Sequence, residues 1–211
     1  MEKRTARRLL SAFAIATLVF LLGIFIGETM TNAKVNQIIN IAEEIRLEIL
    51  DLELQQSLSE YEPCGTTYLY SLGSKLDDIG ARLAYLEEEL GKQDEKVIAL
   101  KKPYTLLQVR HYLLIKQRTQ ECNENYIVIL FFYSNKREYI QDSEKQGYVL
   151  KYFSDKYGYQ KTKAYAIDVD LDLGVVEMLK EKYDVEEYPT TVVNEIVFEG
   201  FTPQEEFKRF F

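Results

Sequence analysis

Three successive stretches of this chain carry apolar residues at alternating steps of three and four, a spacing that an α-helix turns into one continuous face. The first runs through Val35, Ile38, Ala42, Ile45, Ile49 and Leu52. The second runs through Leu69, Leu72, Leu76, Ile79, Leu83, Leu86 and Leu90, and Gly91 supplies its stop. The third runs through Val97, Leu100, Tyr104, Leu107, His111 and Leu114. Its phase survives Pro103, which predicts one kinked helix rather than two unrelated ones. A one-sided helix must bury its stripe, and three such neighbours can do so against one another. The pattern therefore predicts an all-α antiparallel stalk of coiled helices over residues 31–122.

Ahead of that segment, Leu9 to Gly27 form a run of 19 residues without a charge, close to the ~20 that a helix needs to span a bilayer. Lys3, Arg4, Arg7 and Arg8 precede the run and Glu28 follows it. The positive-inside rule then predicts a cytoplasmic N-terminus, a single pass through the cell membrane and an extracytoplasmic body. The run is longer than the usual h-region of about 7–15 residues and lacks a small-x-small site after it. Residues 1–30 thus read as a basic tail and an uncleaved transmembrane signal anchor, with a cleaved signal peptide as the rival. Net charge is −8, and because residues 1–30 carry +2 the remainder carries −10. An acidic body repels phosphate backbones, which argues against nucleic-acid partners.

The chain has two cysteines, Cys64 and Cys122. Outside the cytoplasm an even count invites a disulfide. A first helix over 31–60 would climb about 45 Å, the second would return and the third climb again. Cys64 lies just past the top of the first and Cys122 just past the top of the third, so both are expected at one end. A structural bridge is the main expectation, with a reactive or intermolecular thiol as the alternative.

From Asn125 the pattern changes. Tyr126 to Ser134 is a β-rich apolar run, followed by a helical stretch over 143–157 and the strand-like 163–170, which contains Ala166-Ile167-Asp168-Val169-Asp170. A helix over 173–183 leads into Tyr188-Pro189-Thr190-Thr191. Strands over 190–194 and 196–201, turning at Asn194-Glu195, and a helix over 203–210 complete the chain. Thr202-Pro203-Gln204-Glu205 predicts that last helix start, with Thr202 as cap.

This order, βαβ then a hairpin and a helix with a proline before the hairpin, resembles the thioredoxin-like superfamily over roughly the last 85 residues. With its anchor, the chain is similar to uncharacterised membrane-anchored thioredoxin-like proteins of prokaryotes. The expected fold class is an α/β thioredoxin-like C-terminal domain, residues 125–211, on a helical stalk with an N-terminal transmembrane helix. The resemblance implies that Pro189 is cis and faces the position of a Cys-x-x-C pair. That pair is absent here. If the helix opens at Asp142 or Ser143, Ile140 and Ser143 occupy its place, and Leu130 stands where thioredoxins carry a buried acid. Dithiol exchange needs a low-pKa thiolate and a resolving cysteine, and neither residue supplies one.

What the resemblance leaves is a peptide groove bounded by Ile140, Ser143, Tyr188, Pro189 and Thr190, binding an extended segment of a partner protein through main-chain hydrogen bonds and apolar pockets. Asp168, Asp170 and Asp172 alternate as in a calcium loop, but Leu173 and Leu179 stand where that loop needs Gly and Glu. His111, the only histidine, lies on a helix stripe and reads as a hydrogen-bonded core residue. No catalytic residue, metal site or cofactor is therefore expected. The leading expectation is a membrane-anchored binding or scaffold module. Its alternatives are a thiol-disulfide oxidoreductase using Cys64 and Cys122, and a stalk that forms a homo-oligomer.

Overall fold

The computed structural model describes residues 2–59, 64, 66–122 and 124–211; the side chains of 2–12, 26–34, 56, 58, 59, 66–71, 159 and 160 lie outside that description. Two compact units result, Met1–Glu44 and Ile45–Phe211. In the first, the helix α1 (Glu2–Ser59) exposes Phe13, Leu18, Phe20, Leu22 and Phe25. Leu9 to Gly27 falls partly outside the described side chains. Among the described residues no helix is long and apolar enough to cross a membrane.

Within the second unit, Ile45, Ile49 and Leu52 of α1 are buried, as the first stripe predicts. Helices α2 (Thr66–Leu90) and α3 (Glu95–Glu121) form a hairpin around Gly91, whose φ of 97° suits a residue without a Cβ. Leu72, Leu76, Ile79, Leu83 and Leu86 of α2 are buried, as are Val97, Leu100 and Leu107 of α3. Glu48 of α1 forms ion pairs with Lys75 and Arg82 of α2. Gly80 lets the two helices of the hairpin approach: a Cβ there would lie 2.7 Å from the Tyr104 phenol oxygen. Pro103 lies inside a single continuous helix, as its stripe predicts.

α3 does more than pack against its neighbouring helices. Besides its predicted stripe it buries Lys101, Thr105, Gln108, Val109, Tyr112, Ile115 and Arg118. Val109 and Tyr112 belong to a core with Leu130, Phe132, Tyr165, Ile167, Val176 and Val192. One side of α3 therefore lies on the sheet, and this helix belongs to both layers.

That sheet holds β1 (Ile127–Tyr133), β2 (Thr162–Asp168), β3 (Thr190–Val193) and β4 (Ile196–Glu199) in the order β2-β1-β3-β4. β1 and β2 are parallel; β3 runs antiparallel to both β1 and β4. β1 and β2 are linked by α4 (Ile140–Lys161), and α5 (Gly174–Tyr183) leads toward β3. The β-α-β unit followed by a helix, an antiparallel hairpin and a C-terminal helix is the element order expected from the sequence. Successive residues of β1 point to opposite faces. Leu130 and Phe132 meet α3 and α5, whereas Ile129 and Phe131 meet Leu150 and Phe153 of α4 and the C-terminal Phe207. Asn194 and Glu195 both have positive φ (48° and 72°), as the mirror-image turns that close two-residue hairpins require.

Three local expectations shift. α4 opens at Ile140 rather than at Asp142 or Ser143, and Gly158 (φ 74°) interrupts it close to the predicted end. β4 ends at Glu199, and the last helix splits into α6 (Gln204–Phe207) and a 3-10 turn over Lys208–Phe210. Thr202 does not cap α6. Its N–H donates to Gln146 Oε1 at 2.7 Å and its hydroxyl turns back to the Gly200 carbonyl, so Pro203 takes the cap position without a side-chain bond.

Candidate functional site

The C-terminal ends of β1 and β2 meet the start of α4, the corner where the sequence places Ile140 and Ser143. Ser134 ends the β1 run, and its hydroxyl donates to Asp170 at 3.0 Å. The Asn135 N–H donates to the same carboxylate at 2.7 Å, and the Asn135 side-chain amide donates to Asp168 at 2.9 Å. The alternating aspartates thus bind the loop that leads into α4. Among the described residues no group of three or more His, Cys, Asp or Glu side chains is placed to hold a metal ion.

Beneath this loop lies a buried ion network. Lys101 pairs with Asp168 and, at 2.7 Å, with Glu87, and its ammonium lies 5.5 Å from the centre of the Tyr133 ring. Burial opposes the charge on Lys101. Tyr133, Asp168 and Glu87 outweigh burial and hold its pKa above the ordinary lysine value. The Tyr133 phenol is itself raised by burial.

The residues expected to bound a groove divide into two groups. Ile140 and Ser143 line a cavity of about 220 Å³ with Phe131, Tyr133, Gly147 and Ala166. Ser143 is buried, and its hydroxyl accepts from the Ser134 N–H at 3.3 Å. Because α4 opens at Ile140, with Tyr139 as its N-cap, Ile140 and Ser143 both occupy its first turn instead of flanking its start. Tyr188, Pro189 and Thr190 do not line this cavity. The Tyr188–Pro189 bond is cis. Thr190 is fully buried and its hydroxyl donates to the Glu187 carbonyl at 2.7 Å. The contact that joins the proline loop to the head of α4 is Tyr188 against Tyr139, T-shaped at 5.3 Å.

Cys64 and Cys122 are bridged, with Cα atoms 5.8 Å apart, and leave no free cysteine. Cys122 caps the C-terminus of α3, and Cys64 precedes α2. The bridge therefore lies before β1 in the chain, whereas α4 begins after β1 ends. A strand of 7 residues separates the two places, about 20 Å at its usual rise. On the bridge side Arg118 donates to the Cys64 carbonyl at 3.4 Å and to Glu124 at 3.0 Å. Lys163 is buried there, 5.3 Å from the Tyr126 ring centre. Burial pulls its pKa down to about 8, against the attraction of Asp77 and Glu124.

His111 is a core residue, fully buried with Nδ1 2.9 Å from the Tyr165 hydroxyl. Burial, assisted by Lys163, lowers its pKa to about 3. Sequence reasoning missed Lys101, Glu87 and Lys163. A signal for Lys101 existed: it lies four residues after Val97 and next to Leu100, inside an apolar stripe.

No protein-family model matches the chain, and no curated protein matches it. Solved structures similar to it include thioredoxin-2 of the malaria parasite, a component of that organism's protein secretion machinery. The identity is 18 % over 41 % of this chain and 82 % of that one, with a TM-score of 0.33. A malarial protein is 19 % identical over 39 % of this chain and 90 % of its own, with a TM-score of 0.31. The germline-specific thioredoxin Deadhead of Drosophila melanogaster is 21 % identical over 48 % and 90 %, with a TM-score of 0.34.

Proposed function

We propose that this chain is a membrane-anchored, extracytoplasmic binding module whose thioredoxin-like domain performs no thiol exchange of its own. The observation that carries this reading is the position of its sulfur. Both cysteines are consumed in a bridge before β1, and none stands at the head of α4. Exchange chemistry needs a thiolate at that helix start and a second thiol to resolve the mixed disulfide. Ile140, with no ionisable group, and the hydrogen-bonded Ser143 provide neither. The exposed apolar side chains between Phe13 and Phe25, within the charge-free run, support the anchor. The client we favour is an extended protein segment held near Tyr188 and Pro189.

Thiol titration of the full chain in detergent, over a graded series of reductants, tests the redox half. The bridge should persist to the potentials of structural disulfides, below about −300 mV. Reduction at a mild potential, with turnover of a disulfide substrate, would instead make Cys64 and Cys122 a redox pair. Pull-down with Tyr188→Ala and Pro189→Ala tests the binding half: an unchanged set of partners removes the groove.

A second reading rests on Leu47, Leu50 and Leu54, which α1 leaves exposed while Ile45, Ile49 and Leu52 are buried. A second copy could cover this stripe. A strictly monomeric mass in detergent removes that option.

A further inference from the structure

The proline loop is not the only place where an extended segment fits. β2 is an edge of the sheet, and its 7 residues make it longer than the opposite edge, β4, with 4. In a parallel ladder the residues that bond the neighbouring strand alternate with residues whose N–H and C=O point away. Val169 N–H donates to the Tyr133 carbonyl at 3.0 Å, so its parity faces β1. The main-chain groups of Ala164 and Ala166 therefore point outward. Both residues are exposed, and neither carries the charge or proline ring with which proteins commonly blunt an edge.

Their side chains lie on the face away from Tyr165 and Ile167, which join the core under α3. This is the side of the cavity, and Ala166 forms part of its wall. A strand added at the usual spacing of about 4.8 Å would direct every second side chain toward the cavity mouth. The volume of about 220 Å³ exceeds the roughly 150 Å³ of an apolar cavity known to accept benzene. Phe131, Ile140 and Gly147 give it apolar walls. Its charge is uneven: one ammonium, Lys101, serves two carboxylates, Glu87 and Asp168, while Lys92 and Glu144 neutralise each other at 2.8 Å. One negative charge is left over.

We propose that the outer edge of β2 binds an extended peptide segment of a partner protein, which pairs with the main chain at Ala164 and Ala166. It sets a large apolar side chain in the neighbouring cavity and carries a basic residue beside it. Main-chain pairing supplies affinity, and the cavity supplies the choice of sequence. The proposal rests on the reading of this chain as a protein-binding module, but it moves the contact to a different edge.

The probe is a capped peptide of sequence Lys-Val-Phe-Val-Lys at millimolar concentration, with hydrogen exchange of the full chain as readout. Exchange across β2 should slow by about tenfold, saturably, and an Asp-Val-Phe-Val-Asp peptide should have less effect. Ala166→Pro and Ala164→Pro each remove an outward N–H that the ladder does not use, so both should fold and lose the protection. Gly147→Leu should weaken binding by filling the cavity. No slowing at any reachable concentration overturns the proposal, as does protection that survives both proline variants in folded protein. Concentration-dependent dimers that protect β2 without peptide overturn it too, since a second copy would then be the occupant. Tyr188→Ala separates the two ideas: it should leave the protection of β2 intact, whereas peptide protection confined to residues 186–190 would support the proline groove and sink the edge.

Discussion

The two ends of the β1–β2 pair solve the same problem with different bonds. At the end preceding β1, α3 is tied down covalently, by Cys122 to Cys64, with Arg118 and Glu124 beside the bridge. At the far end the same helix is held by charge, through Lys101 against Asp168 and Glu87. The covalent end holds the sulfur, and the ionic end holds Lys101, Asp168 and Glu87 with a cavity beside them. The difference teaches that one helix can be fixed on a sheet by a covalent tie at one end and by buried charge at the other.

Cutting the ionic end should do the most damage. Lys101→Ala leaves Asp168, with a side chain 5 % exposed, and Glu87 without their shared ammonium. Removing one partner of a buried pair costs up to about 5 kcal/mol, and denaturant unfolding should register it. Lys101→Met with Asp168→Asn and Glu87→Gln should recover much of the loss, because no uncompensated charge then remains. A triple variant no more stable than Lys101→Ala would show that packing, not charge, holds this end.

Opening the covalent end comes next. The bridge closes a separation of 58 residues, for which the chain-entropy model gives about 4 kcal/mol. Cys64→Ser with Cys122→Ser should lower stability by that amount with the sheet intact; equal stability would mean that the ionic end alone positions α3.

Between the two ends sits His111, and its effect is set by pH. Its folded-state pKa is about 3 against 6.5 unfolded, so at acidic pH the unfolded chain binds the proton that the folded chain refuses. Its contribution is fully present above pH 6.5 and is lost as pH falls toward 3. The slope approaches about 1.4 kcal/mol per pH unit. His111→Gln should flatten stability over that window, and an unaltered slope would place the titration elsewhere. Lys163 acts in a separate window: folded at about 8 against 10.5, it loses stabilisation as pH falls from 10.5 to 8.

The smallest effect belongs to the start of α3, at the ionic end. Asp94 accepts a hydrogen bond from the Lys96 N–H at 2.8 Å as N-cap. Asp94→Ala should cost about 1 kcal/mol; no change would mean that Lys101 already fixes the first turns.

Much of the frame was legible because it follows from periodicity. The stripe from Leu72 to Leu86 is buried as its spacing predicts, and the alternation in β1 sorts onto two faces. What escaped in α3 has one physical cause. α3 is buried on more than one side, and its second contact surface includes Lys101, Thr105, Gln108 and Arg118. A rule that looks for apolar residues sees the first stripe and passes over the second, although those polar residues are buried too. α4 starts two to three residues before the expected Asp142 or Ser143, because Tyr139, its N-cap, makes no side-chain bond to the helix that sequence could reveal. The cavity was not legible at all. It is lined by Gly147 and Ala166, both small, from elements distant in sequence.

The position of the bridge also fixes an order of events. Both cysteines precede Ile127, the first residue of β1. A chain emerging N-terminus first therefore presents both cysteines before any residue of the sheet has emerged. The α2–α3 hairpin can be stitched shut while the remainder is still being made, and the sheet then has a finished template to condense upon.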